Sequence, residues 1–273
     1  MENASGRAPG LAARVDAGAM PNDIAPATVF RAMPPDRALD PVTSTGNPEL
    51  VAANPGSLPD DDEAIAFSTV GDLCTWMRRG ELTSERLTRI YLERIDRLDP
   101  TLECMITVTG DRAIAQARRA DSERKQGRDR GPLQGIPYGA KDILDVADVR
   151  ATWGATPFKD RIGTTTATVI EKLDGAGAVM LGKTSVGALA YGDIWFGGRT
   201  NNPWNLEQGS SGSSAGSASG TVGGLMAVAL GTETAGSTAS TAAPSRTSCS
   251  TCAPPTRPSA TSWRAGCPWR TRT

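Results

Sequence analysis

The sequence predicts an α/β fold. Three observations point to it. Apolar residues recur at helical spacing between residues 84 and 98, a helix-to-strand step lies over 168–181, and an apolar strand at 225–232 is bracketed by Gly-rich segments. The length of 273 residues suits one large domain or two small ones.

Residues 1–62 are rich in Ala, Pro, Asp and Asn, lack periodicity and read as an extended or disordered arm. The arm ends in Asp60, Asp61, Asp62 and Glu63, an acidic run suited to the positive N-terminal end of a following helix. Thr83-Ser84 caps a helix with Leu87, Ile90, Tyr91, Ile95 and Leu98 on one face and charged residues on the other. Asp99-Pro100 is the expected stop. The apolar stretch 102–108 is open between a short strand and a helical turn. A second helix starts at Asp111, carries Ala113, Ile114, Ala117 and Ala120, and ends at Gly127. GPLQGIPYGAKDILDV, from residue 131, reads as a turn followed by a short buried segment bearing Lys141 and Asp142. The next helix ends at Gly175 or Gly177, and a strand follows over 178–181.

Composition narrows the chemistry. The net charge of −1 (29 Lys+Arg against 30 Asp+Glu) gives no electrostatic footprint for nucleic acid or an anionic membrane. No apolar run is long enough for a membrane span, and the first 20 residues lack the apolar centre of a secretory signal, so a cytoplasmic location is expected. The absence of histidine excludes Ser-His-Asp and Cys-His sites and His-ligated metal centres. Five scattered cysteines are not a disulfide framework, and Cys249 and Cys252 have no second pair at zinc-ribbon spacing. Cys74 and Cys104 read as buried thiols.

Three features carry chemistry. Lys141 stands in an apolar context (Ile136, Pro137, Tyr138, Ile143, Leu144). A lysine is most often a solvated surface residue; buried, it loses its proton more easily and serves as a neutral base. GSSGSSAGSASG, 209–220, has the composition of a flexible linker. Its place inside an α/β pattern favours a loop presenting hydroxyls and N–H groups, and no GK[ST] follows to make it a phosphate loop. GTETAGS, 231–237, is a tight turn after a strand, whose successive N–H groups suit an oxyanion hole. A serine nucleophile needs a base, and without histidine lysine is the natural one.

The chain resembles the amidase signature family. The matching stretches are GPLQGIPYGAKDIL (131–144), TTTATVIEKLDGAGAVMLGKTSVGALAYG (164–192), GGRTNNPWNLEQGSSGSSAGSASG (197–220) and GTETAGS (231–237), with ELTSERLTRIYLERIDRLDP (81–100) similar to the family's N-terminal helices. The likeness covers about 63–240, and the motifs stand in family order. It implies a mixed central sheet flanked by helices. It also implies Lys141 as base, Ser213 as relay serine across a cis peptide bond, and Ser237, 24 residues later, as nucleophile. The N–H groups of Thr234, Ala235, Gly236 and Ser237 would hold the oxyanion, and Ser214 would support the network by hydrogen bonding. Neither metal nor cofactor is implied. The expected partner is a small-molecule amide, with no nucleic acid and no membrane, and a homodimer is left open.

The family pattern is not complete. Glu233 stands where the family commonly has Asp, and Ala235 where it has Gly. Thr238-Ala239-Ser240 replaces the usual Ile-Arg continuation, and there the likeness stops. Residues 241–273 contain no Leu, Ile, Val, Met, Phe or acid, but five Arg, five Pro and twelve Ser+Thr. Such a segment cannot offset its conformational entropy by burial. A native disordered tail, a basic interaction tail and an out-of-frame ending compete as explanations, and the abrupt loss of family pattern favours the third. The expected domains are therefore an arm (1–62), the N-terminal part of an amidase domain lacking the C-terminal part of its sheet (63–240), and a non-family tail (241–273). The expected function is hydrolysis of carboxamide C–N bonds through an acyl-enzyme. Two alternatives stand beside it: a catalytically inactive truncated fragment, and a glutamine amidase like the A subunit of a tRNA-dependent amidotransferase.

Overall fold

The computed structural model describes residues 54–233. Its N-terminal half is helical for local reasons. Helix α1 (Asp62–Ala66) is capped by Asp61, whose side chain accepts from the Glu63 N–H at 3.0 Å, with Asp62 and Glu63 in the first turn. Helix α2 (Val70–Arg79) is capped by Thr69 and closes at Gly80, where φ is 75°. Residues before α1 are not free of the fold: Trp76 Nε1 and Arg79 both donate to the Gly56 carbonyl, and Leu58 packs on the core.

Helix α3 (Ser84–Leu102) starts at the expected cap, with Thr83 accepting from the Arg86 N–H at 3.1 Å. Leu87, Ile90, Tyr91, Ile95 and Leu98 are buried along one face. The helix does not stop at Asp99-Pro100 but runs through Pro100 to Leu102. A proline so close to the end removes one intrahelical bond and little else. Asp99 offsets that loss. Its carbonyl accepts from the Glu103 N–H at 2.7 Å, and its carboxylate accepts from the N–H groups of Cys104 and Met105 at 2.8 and 3.0 Å. The chain is thereby turned into strand β1 (Met105–Val108), which settles the 102–108 stretch as the end of a helix and then a strand.

Helix α4 (Gly110–Lys125) follows, burying Ala113, Ala117 and Ala120. Strand β2 (Pro137–Lys141) is buried at every position. Helix α5 (Thr168–Gly175) turns through Gly177, φ 76°, into β3 (Val179–Thr184), also buried throughout. Two short antiparallel pairs come next: β4 (Ile194–Trp195) with β5 (Gly198–Arg199), and β6 (Asn201–Asn202) with β7 (Asn205–Gly209). Helix α6 (Ala215–Val222) precedes β8 (Val228–Leu230).

The main sheet has strand order β1-β3-β2-β8. β2 pairs with β3 and β8 in parallel, and β1 pairs with β3 antiparallel, so the sheet is mixed. Both faces are covered, as buried parallel strands require. Val179 and Leu181 of β3 join the core built on α1, α2, α3 and α4, whereas Met180 joins Tyr138, Ala140 and Ile170 on the other side.

Two further expectations are revised. The apolar stretch 225–232 is a strand only over 228–230; Leu225 and Met226 are buried in the core ahead of the ladder, which engages Tyr138–Ala140 alone. The stretch 209–220 is neither a linker nor wholly a loop, because α6 begins at Ala215. Small residues make this helix by allowing close approach. A Cβ on Gly216 would stand 2.1 Å from the Cys104 carbonyl oxygen and 2.3 Å from the Ser185 nitrogen. The serine hydroxyls of α6 are satisfied outward: Ser217 Oγ donates to the Leu230 carbonyl at 2.7 Å, and Ser219 Oγ to that of Asn201 at 2.8 Å.

Candidate active site

Parallel strands β2, β3 and β8 end at the same edge of the sheet, the edge where open α/β folds gather their functional loops. Lys141 is the last residue of β2 and is fully buried. Its Nζ lies 2.8 Å from Ser213 Oγ, 2.9 Å from Ser214 Oγ and 2.6 Å from Thr232 Oγ1. Ser213 follows Gly212 across a cis peptide bond, and Ser214 is the N-cap residue of α6. Ser214 also fastens the loop after β8. Its Oγ donates to the Thr232 carbonyl at 3.0 Å and accepts from the Thr232 N–H at 3.1 Å. Two segments, at 213–214 and at 232, thus converge on the amine at the end of β2.

The environment makes deprotonation easier than for an exposed lysine. Burial lowers the Lys141 amine from the ordinary lysine value to about 8, against an opposing pull from Glu233. Its hydrogen-bond partners are hydroxyls, all of which can accept from an ammonium, whereas the proton of Ser214 is held by the Thr232 carbonyl and leaves Ser213 or Thr232 to donate to the single lone pair of a neutral amine. The cluster is therefore equipped to take a proton from a hydroxyl.

Opposite it, on the other face of the strand end, lies a second buried constellation. Asp142 and Lys183 are both fully buried and paired at 2.7 Å. The second oxygen of Asp142 accepts from the Thr152 N–H at 2.8 Å and, closely, from the Thr152 hydroxyl. The Asp142 carbonyl accepts from the Trp153 N–H at 3.2 Å, tying the loop after β2 back to the strand end.

Of the residues expected from sequence, Lys141, Ser213 and Ser214 are brought together. Ser237 and the segment Thr234, Ala235 and Gly236 lie outside the described residues. Sequence reasoning gives Thr232 no role, although it belongs to GTETAGS; its hydroxyl and its position after a strand are the available signal. Lys183 is likewise missed, and its signal is a lone cation inside the apolar run AVMLGKTSV. Cys74 and Cys104 are buried free thiols, and burial raises the pKa of both. A surface cleft lined by Arg112, Gln116, Arg119, Arg130 and Asp174 shares no residue with the Lys141 cluster. Among the described residues no helix is long and apolar enough to cross a membrane.

A family model described as Amidase matches residues 86–245. The chain belongs to the amidase signature family. Among curated relatives, this amidase-family chain is 40% identical over 172 residues to the A subunit of the glutamyl-tRNA(Gln) amidotransferase of Methylococcus capsulatus; the match covers 62% of this chain and 35% of that protein. Among solved structures, it is similar to the native peptide amidase of Stenotrophomonas maltophilia, with 39% identity and a TM-score of 0.58 over 62% of this chain and 37% of that one. It is also similar to a fatty acid amide hydrolase, with 26% identity and a TM-score of 0.61 over 66% of this chain and 32% of that one. The amidase-family chain thus spans about a third of the length of the relatives it matches.

Proposed function

We propose that this amidase-family chain carries the base and relay of a Ser-cisSer-Lys site for hydrolysis of carboxamide C–N bonds, with a small-molecule amide as substrate. The observation that supports it is the fully buried Lys141 amine, bonded to hydroxyls and 2.8 Å from the serine that follows a cis peptide bond. Neutral Lys141 takes the proton of Ser213 Oγ. Ser213 takes the proton of Ser237, and Ser237 Oγ attacks the amide carbon. The N–H groups of residues 234–237 receive the negative oxygen. The relay then returns the proton to the departing amine, and water releases the acid from the acyl-enzyme.

The test is covalent labelling of the chain by a fluorophosphonate probe, with the modified residue mapped by mass spectrometry. Labelling at Ser237, lost in Ser237→Ala, is the expected result. A soluble protein left unlabelled, or one whose Ser237→Ala variant is labelled as before, overturns the assignment.

The likeness to the A subunit of an amidotransferase favours a second reading, in which the amide is glutamine and the ammonia passes to a partner protein. Competing glutamine against simple carboxamides for Ser237 labelling separates the two. Protection by glutamine alone supports the amidotransferase reading, and protection by simple amides supports the free-standing hydrolase.

A further inference from the structure

Two lysines of the described residues are fully buried, and their surroundings are opposite in kind. Lys141 meets hydroxyls; Lys183 meets the carboxylate of Asp142 at 2.7 Å. The parallel register sets Ala140 beside Lys183 and Lys141 beside Thr184, and Asp142 follows the last rung with its N–H donating to the Thr184 carbonyl at 3.0 Å. Consecutive strand residues point to opposite faces, which turns Lys141 toward α6 and Asp142 toward Lys183.

The fold has its own use for Asp142. Its carboxylate accepts from the N–H and the hydroxyl of Thr152 and fixes the loop leaving β2. Left unbalanced, that buried anion would favour the ammonium form of the neighbouring Lys141 and work against a neutral base. We propose that Lys183 is a positioning residue for the reaction: its ammonium cancels the charge of Asp142, so that a carboxylate needed by the loop does not hold the proton on Lys141. This rests on the reading of Lys141 as the base.

Other charged groups act on the two lysines. Burial lowers the Lys183 amine from the ordinary lysine value, and its pairing with Asp142 opposes this and favours the ammonium; Asp145 and Arg161, paired with each other at 2.6 Å, act on it with opposite signs from the loop after β2. Arg150 presents its carbonyl to Lys183 at 3.4 Å. Glu233 faces Lys141 from the segment after β8 and favours its charged form. The Asp142–Lys183 pair is the buried charge nearest in sequence to the base. A nearby uncompensated charge displaces a group's midpoint by about 1–3 pH units at 4–6 Å and by less farther off, so a displacement on the order of one pH unit is expected.

The experiment follows the Nζ resonances of the whole chain, labelled with ¹³C and ¹⁵N in its lysines, from pH 6 to 11. The chain has five lysines (Lys125, Lys141, Lys159, Lys172 and Lys183), so Lys141 can be assigned by substitution. Lys183→Met is expected to raise the Lys141 midpoint by roughly one unit, and Asp142→Asn to lower it by a similar amount. The double variant is expected to return it to within a few tenths of wild type. Singles that move Lys141 in the same direction, or not at all, overturn the inference, because loosened packing has no reason to give opposite signs. If Lys183→Met does not fold, Asp142→Asn and the double variant decide. The Lys141 midpoint must then be lower in Asp142→Asn than in the double, and equal midpoints overturn the inference. The titration needs no turnover, so the opposite-sign pattern without Ser237 labelling removes the hydrolase reading alone. Ser237 labelling without the pattern removes this inference alone.

Discussion

At the scale of single residues, the described part of the candidate site is one amine and three hydroxyls. A lysine that loses its proton near pH 8 is half neutral there, more so above and less below. In the proposed reaction the neutral form is the base, so probe labelling at Ser237 is expected to rise with pH, bend near 8 and level off. A profile flat from pH 6 to 10 would rule out Lys141 as the group that titrates. Lys141→Met is expected to slow labelling by roughly 10²–10⁴-fold, the usual contribution of a positioned general base. Thr232 belongs to the same group, since its Oγ1 lies 2.6 Å from the amine. Thr232→Val removes the hydroxyl and nearly keeps the shape. Because a hydrogen bond to a charged group contributes about 1.5–3 kcal/mol, labelling should slow by roughly 10- to 100-fold. Thr232→Ser should stay within a few-fold of wild type, and equal rates for the Val and Ser variants would remove Thr232 from the site.

At the scale of elements, what is legible in the sequence depends on whether its cause is local. The start of α3 is readable because Thr83 caps it within three residues and its apolar face repeats within the helix. Its end is not, because Asp99 offsets the cost of Pro100 through residues 103–105, a geometry no propensity records. Lys141 and Ser213 are readable from family-like motifs. Lys183 is not, since its partner is fixed by parallel pairing of strands 41 residues apart. Helix α6 is hidden for a related reason. Its Gly, Ser and Ala residues carry no apolar stripe, and its stability lies in close backbone contact. Gly216→Ala tests this directly. The added methyl meets backbone atoms at 2.1 and 2.3 Å, so α6 must shift. A loss of about 1–3 kcal/mol in unfolding free energy is expected, with slower Ser237 labelling because Ser213 and Ser214 stand at the head of that helix. Gly175→Ala is the control: nothing lies within 4 Å, and the helical position should make it neutral or stabilising by up to about 1 kcal/mol. Equal losses in the two variants would mean that Gly216 is not a packing requirement.

At the scale of the whole molecule, the site depends on a link between the start and the end of the described chain. Arg94 of α3 is buried, with its Nε donating to the Gly224 carbonyl at 2.7 Å and its Nη2 to that of Gly223 at 3.0 Å, about 130 residues away. The same guanidinium stands 5.1 Å over the ring of Phe67. Gly223 and Gly224 lead into β8, and β8 leads into Thr232, so this arginine connects the helical half to the strand whose exit reaches Lys141. A planar fork with several fixed donors suits two adjacent carbonyls, which lysine cannot satisfy in the same way. Arg94→Met keeps much of the apolar stem but leaves two buried carbonyls without these donors. On the order of 2–4 kcal/mol of stability should be lost, seen as a lower urea midpoint with an unchanged slope. Arg94→Lys should fall between the two proteins. The loss should also reach the site: in folded Arg94→Met, Ser237 labelling should slow although no group that handles the proton has been touched. An unchanged midpoint would show that the turn at 223–224 is held by its own backbone. An unchanged labelling rate in a destabilised variant would show that β8 keeps its register through Tyr138–Ala140 alone.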